Sequence, residues 1–210
     1  MTSHDELIGM FREKAEAVSA VVVSVASVLE AVQYTVDLCD KQPACRLLLS
    51  GCEAPLSDRA KALCEAEERT KVIAGLGLDD DTFSQLADLA ESRDMSAIRS
   101  GLRDHVGGLE ISLTYADYGI AETGTLVIDS RSEELRLATM LAETHVALLP
   151  VSRIRATAYD MEPELNALIG GSPSFTAFIT GASRTADIER VLALGVHGPL
   201  ELHILLLEDR

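Results

Sequence analysis

The feature that most constrains this chain is a set of continuous apolar runs, among them THVALLP (144–150) and LELHILLLED (200–209), set between segments of helical periodicity. A strand with one solvated face alternates apolar and polar residues, so an unbroken apolar run needs cover on both faces. Such runs separated by amphipathic helices predict a mostly parallel sheet between two outer layers, a three-layer α/β/α architecture. The 210 residues are 47% hydrophobic and 25% charged, which suits one well-filled core; with no Trp and 4% aromatics, that core is aliphatic. No Pro- or Ser-rich linker interrupts the pattern, so residues 1–210 read as a single domain with a helical N-terminal lead over 1–20.

Along the chain, Ser3-x-x-Glu6 is a capping box and opens a helix of about four turns. Val21 to Val23 are β-branched, and Ser27-x-x-Glu30 opens a second helix. Strands follow at Arg46–Ser50 and Thr70–Gly75, with a helix from Ser57 to about Glu68 between them. Helices are expected from the Thr82 cap to Glu91 and from Met95 to His105. Gly119–Ala121 and Leu126–Ile128 read as two strands flanking a Thr-Gly-Thr turn. Then come a helix over Ser132–Glu143, a strand over Thr144–Leu149, a helix over Asp160–Leu168 and a strand over FTAFITG (175–181). A helix over RTADIERVLALG, stopped by Gly195, precedes the final strand.

Charge narrows the partners. With 34 acidic and 18 basic residues the formal charge is −16, which repels phosphate backbones and anionic lipid and argues against nucleic acid and membrane. The start MTSHDELIGMFREK lacks the basic-then-apolar order of a signal peptide. The most apolar stretch, Val18 to Leu29, is broken by three serines and is short of the ~20 residues that span a bilayer. A cytoplasmic protein is expected. Cys39, Cys45, Cys52 and Cys64 match neither a zinc nor an iron–sulfur spacing and read as buried or free thiols. With no HExxH, clustered His or acidic calcium loop, no metal site is expected.

Three segments carry candidate chemistry. Glu122-Thr123-Gly124-Thr125 puts a Gly between hydroxyl residues at a strand end, where backbone N–H groups can approach an anion and Glu122 can act as acid, base or nucleophile; equally, it reads as a tight turn whose Thr side chains bond the backbone. Ser183-Arg184-Thr185 follows a strand and a Gly turn. At the start of a helix on the carboxyl edge of the sheet it would offer N–H groups and a guanidinium to an anion, or Arg184 would pair with Asp187. His197, between Gly195 and Gly198, is a general acid/base or ligand-positioning residue, or a loop His satisfying nearby carbonyls.

Taken together, ADYGIAETGTLVID (116–129), THVALLPVSRI (144–154), FITGASRTADIE (178–189) and GVHGPLELHILLLED (195–209) closely resemble the LUD-domain family, in its lactate-utilization branch. The resemblance implies a fold similar to NagB/RpiA/CoA-transferase proteins. It implies a non-redox subunit in oxidation of L-lactate to pyruvate beside iron–sulfur partner subunits, with clusters in the partners and none bound by this chain. A small carboxylate or phosphate ligand would sit among Thr123, Gly124, Thr125, Ser183, Arg184, Thr185 and Gly198. One alternative is an autonomous CoA-transferase-like or sugar-phosphate isomerase-like enzyme using Glu122 and His197; another is a purely structural assembly module.

Overall fold

The computed structural model describes residues 3–42, 70–105, 109–170, 175–185, 193–194 and 198–209. Helices run over His4–Ala17 (α1), Val28–Lys41 (α2), Asp80–Glu91 (α3), Glu133–Leu141 (α4) and Glu162–Ile169 (α5). Strands span Val21–Val25 (β1), Val72–Leu76 (β2), Ser96–Ile98 (β3), Leu109–Tyr115 (β4), Tyr118–Ile120 (β5) and Thr125–Asp129 (β6). They continue with Ala142–Pro150 (β7), Ile154–Arg155 (β8), Thr176–Ile179 (β9), Arg184–Thr185 (β10), Ala193–Leu194 (β11) and Glu201–Leu207 (β12).

Among the described residues six strands form the central sheet in the order β1-β12-β7-β4-β2-β3, and their pairings are parallel. The unbroken apolar runs are its middle: β7 and β12 are buried along nearly their whole length. On one face Ile111, Leu113, Val146, Leu148 and Leu205 pack under Val32 and Val36 of α2 and Leu86 of α3. On the other, Ala147, Leu149, Ile204 and Leu206 meet Phe11 and Ala15 of α1 and Leu126 and Ile128 of β6. Farther along that second face, Val72 and Ala74 lie under Ala138 of α4.

Part of the second face is covered by something the sequence pattern did not separate from the central sheet. Strands β8-β5-β6-β9 form their own four-stranded sheet. In it β5 and β6 are an antiparallel hairpin, as the strand–turn–strand pattern predicts, and β9 runs antiparallel to β6. FTAFITG therefore belongs to this smaller sheet.

Two expected helices are corrected. Met95–His105 is instead β3, on the edge of β2, followed by a 3-10 turn over Leu102–His105. Gly101, at φ +78°, breaks any helix between them. Arg184–Thr185 pairs antiparallel with Ala193–Leu194, so those residues neither open nor close a helix; residues 186–192 lie outside the described set. The expected strand 46–50 and helix 57–68 also lie outside it. The helix expected over Ser132–Glu143 ends at Leu141, because Ala142 and Glu143 already belong to β7. Ser3 and Glu6 form the full capping box, whereas Ser27 caps alone and Glu30 accepts from the Ala26 N–H. Among the described residues no helix is long and apolar enough to cross a membrane.

Helix α1 is held by two glycines. Gly124, at φ +63°, lies so close to α1 that a Cβ there would stand 2.3 Å from the Ala15 nitrogen. Gly181, at φ +76°, would put a Cβ 2.4 Å from the Val18 carbonyl oxygen. Both positions combine the left-handed backbone with a backbone neighbour that cannot swing away. Gly124→Ala should therefore cost more than about 2 kcal/mol, left-handed strain and overpacking adding together. Gly9→Ala, an exposed helix position with nothing within 4 Å, should stabilise by about 0.5–1 kcal/mol. Urea denaturation of the two variants checks the contrast; equal effects would mean that α1 is not clamped at Gly124.

Candidate functional site

Where α4, β6, β9 and the start of β12 come together, a cleft of about 370 Å³ opens between the two sheets. Its floor is made by His145 of β7, and Ser130 lies at the end of β6. Arg136, Thr139 and Met140 come from α4, and Ala177 to Ile179 from β9. The run Thr180–Ser183, then Gly198 and Pro199, closes the remaining side. Phe175, Phe178 and Met140 are 52–58% exposed at its mouth, an apolar rim above a polar floor.

The floor has a local cause. His145 projects from the same face of β7 as Ala147 and Leu149, and its register partner on β4 is Ser112. Thr114, two residues on, places its Oγ1 2.8 Å from His145 Nε2. His145 is 1% exposed and its Nδ1 has no hydrogen-bond partner among the described residues. The Oγ atoms of Ser112 and Ser130, both fully buried, are likewise unpartnered. Burial alone pushes the His145 pKa down to about 4, so the ring is neutral at pH 7. A neutral ring has one N–H. If the Thr114 hydroxyl donates to Nε2, its proton is satisfied and Nδ1 carries an N–H free for another partner; the other tautomer orphans the hydroxyl proton and the Nδ1 lone pair together.

Arg136 supplies charge. Its Nη1 donates to the carbonyls of Ser130 at 2.6 Å and Arg131 at 3.1 Å, while its guanidinium stands 5.9 Å from the centre of the Phe175 ring. Both acceptors are neutral, and no ion pair joins Arg136 to a described carboxylate. A second buried histidine differs. His203, on the α2 face of β12, takes Tyr34 Oη at 2.7 Å on Nδ1 and Glu201 Oε2 at 3.2 Å on Nε2, so both its ring nitrogens are used internally.

Of the residues singled out from sequence, Ser183 and Gly198 line the cleft, and they touch. The Ser183 N–H donates to the Pro199 carbonyl at 2.9 Å, and a Cβ on Gly198 would lie 3.3 Å from the Ser183 Cβ. They sit just before β12, so their position is the amino edge of the central sheet and not the expected carboxyl edge. Arg184 and Thr185 form β10 rather than a helix N-terminus, and the Arg184 side chain is exposed.

The turn 122–125 lies against α1 instead. Thr123 and Thr125 Oγ1 are 2.7 Å apart, and Thr125 Oγ1 is 2.8 Å from Thr180 Oγ1, a hydroxyl chain running from the turn to the side of the cleft. Glu122 Oε1 accepts the Ala158 N–H at 2.8 Å, which ties it to the loop after β8. His197 and its two preceding neighbours lie outside the described residues.

Sequence reading missed Ser130, Arg136 and His145. His145 was hidden inside an apolar strand; a single imidazole in an otherwise aliphatic buried run was the available signal. Cys39 is buried in the α2 layer, with its thiol pKa pushed up to about 12 by burial and by the charge of Glu110. Among the described residues no three His, Cys, Asp or Glu side chains gather as a metal-ligand set.

The depressed His145 pKa has a sign. The folded state holds the ring neutral while the unfolded chain protonates near pH 6.5, so stability is lost as pH falls from about 6.5 toward 4. Between pH 7 and pH 5 this costs about 2 kcal/mol, and His145→Gln should remove that part of the pH dependence whatever its own stability at pH 7. Urea midpoints of both proteins at the two pH values check it. Parallel pH profiles would show that His145 is not the buried neutral base described here.

A family model described as the LUD domain matches residues 8–207. Lactate utilization protein C of Halalkalibacterium halodurans is 38% identical over 104 residues, covering 48% of this chain and 45% of that protein. The protein of the same name from Geobacillus sp. is 37% identical over 123 residues, covering 56% and 49%. The chain thus spans about half the length of the curated relatives it matches. A DUF162 family protein from Deinococcus radiodurans, known from its crystal structure, superposes with a TM-score of 0.60 at 17% identity over 98% of both chains. That likeness supports the arrangement of sheets and layers, and no more than the fold.

Proposed function

The chain belongs to the LUD-domain family, and from that premise we propose that it serves lactate utilization as a non-redox subunit, acting beside separate iron–sulfur subunits that take the electrons as lactate becomes pyruvate. The observation that carries this reading is the 37–38% identity to relatives named lactate utilization protein C, joined to a family match over nearly the whole chain. On this reading the protein is cytoplasmic, and its part is to bind a small carboxylate or phosphate next to Ser183 and Gly198, where backbone groups of two loops meet beside the cationic Arg136.

The division of labour has a chemical reason. Removing electrons from a 2-hydroxy acid needs a redox centre, which on this reading the iron–sulfur subunits supply. Binding and orienting the acid, by contrast, needs only fixed donors and a positive charge.

Deleting the gene in its host and growing the cells on L-lactate as sole carbon source tests the role. Growth should fail on lactate and be normal on pyruvate, and tagged protein should co-purify with subunits that carry iron–sulfur clusters. Normal growth on lactate without the gene would overturn the reading.

A further inference from the structure

The cleft combines features that a merely structural gap does not need. Its floor presents two side chains, His145 and Ser130, that are at least 99% buried and have an unpartnered polar atom each. Leaving such groups unpaired is costly, and folded proteins pair the large majority of them. Beside them stands Arg136, whose guanidinium, among the described residues, donates to two neutral carbonyls, lies near a ring face and acts on Glu133 through space without a direct ion pair. The walls are different: Met140, Ile179 and Leu202 are apolar, and Phe175 and Phe178 leave half their surface exposed at the entrance.

We propose that this cleft is a binding site for a 2-oxo or 2-hydroxy monocarboxylate that carries a branched or aromatic hydrocarbon body. The carboxylate lies against Arg136 and Ser130, the 2-oxygen accepts from His145 Nδ1, and the hydrocarbon fills the space between Met140, Phe178 and Leu202. One guanidinium matches one carboxylate, which disfavours a dianion such as phosphate. A space of about 370 Å³ with apolar walls is of the size and character of small-molecule sites, and a three-carbon acid would leave most of it unfilled. The proposal builds on the anion reading of Ser183 and Gly198, which flank the same cleft. It is tested by binding rather than by growth on lactate, so the two readings fail separately.

Isothermal titration of the purified protein with 4-methyl-2-oxopentanoate, pyruvate, acetate and inorganic phosphate decides it. The branched oxo acid should bind once per chain and more tightly than the other three. Ser130→Ala should weaken it about threefold to tenfold, and Arg136→Lys about tenfold or more, as expected for losing a neutral and a charged hydrogen bond. The unliganded Ser130→Ala protein should melt at the same temperature as wild type or higher, since the change removes an unpaired buried hydroxyl. A hydroxyl with only a structural role would lower the melting temperature when removed and leave affinity alone. The proposal is overturned if the branched acid does not bind, if phosphate or acetate binds as tightly, or if both variants bind like wild type.

Discussion

Everything in this structure follows from the need to cover a fully parallel sheet on both faces. Strands β7 and β12, buried along all but one end residue each, leave no face for solvent, so each must be matched by an apolar layer. On one side, among the described residues, α2 and α3 form a layer over Ile111, Leu113, Val146 and Leu205. On the other side the cover is divided: α4 lies over β2 and the start of β4, while α1 and the smaller sheet lie over β7, β12 and β1. Two different covers do not meet flush. At their seam the sheet face changes from aliphatic to polar, with Ser112, Thr114 and His145 side by side on β4 and β7. The cleft sits above that seam. It is a consequence of the layer architecture, and its unusual chemistry comes from placing an imidazole where neighbouring positions carry Ala and Leu.

The divided cover also explains the glycines. The smaller sheet can reach the central one only if α1 fits between the turn at 122–125 and the loop at Thr180–Gly181, and backbone approaches there leave no room for a side chain. Thr123, Thr125 and Thr180 join the two loops by hydroxyl contacts just behind that approach. Loops that hold α1 on one side thus form the cleft wall on the other, through Thr180, Gly181 and Ser183. Placement of the N-terminal helix and the shape of the cleft are one packing problem.

Much of this was legible in the sequence, and the reason is periodicity. Unbroken apolar runs identify β7 and β12, the capping residues Ser3 and Ser27 mark α1 and α2, and the Thr-Gly-Thr turn marks the β5–β6 hairpin. Periodicity fails where an element is short or shared. Ser96–Ile98 is three residues long and pairs with β2 through an edge that no local signal announces. The stretch after Ser183 has helical spacing, yet Arg184 pairs with Leu194 and Thr185 with Ala193, a tertiary choice that local propensity does not record. Nor does an apolar run say which of two sheets it joins, which is why β9 read as a strand of the central sheet. The candidate site shows the same limit. Ser183 and Gly198 were found because glycines and hydroxyls in loops are conspicuous, while Ser130, Arg136 and His145 become a group only when the consecutive elements β6, α4 and β7 fold back against one another.

The proposed role rests on the family relation, and the proposed binding site rests on the seam. That proposed site depends on His145 being a neutral imidazole with its N–H on Nδ1. Two-dimensional proton–nitrogen NMR of the imidazole ring reads that state directly. At pH 7 the nitrogen shifts of His145 should be those of the neutral Nδ1–H tautomer, and the Nδ1 resonance should move when 4-methyl-2-oxopentanoate is added. A ring that is protonated at pH 7, or in the Nε2–H tautomer and unmoved by the acid, would contradict the account.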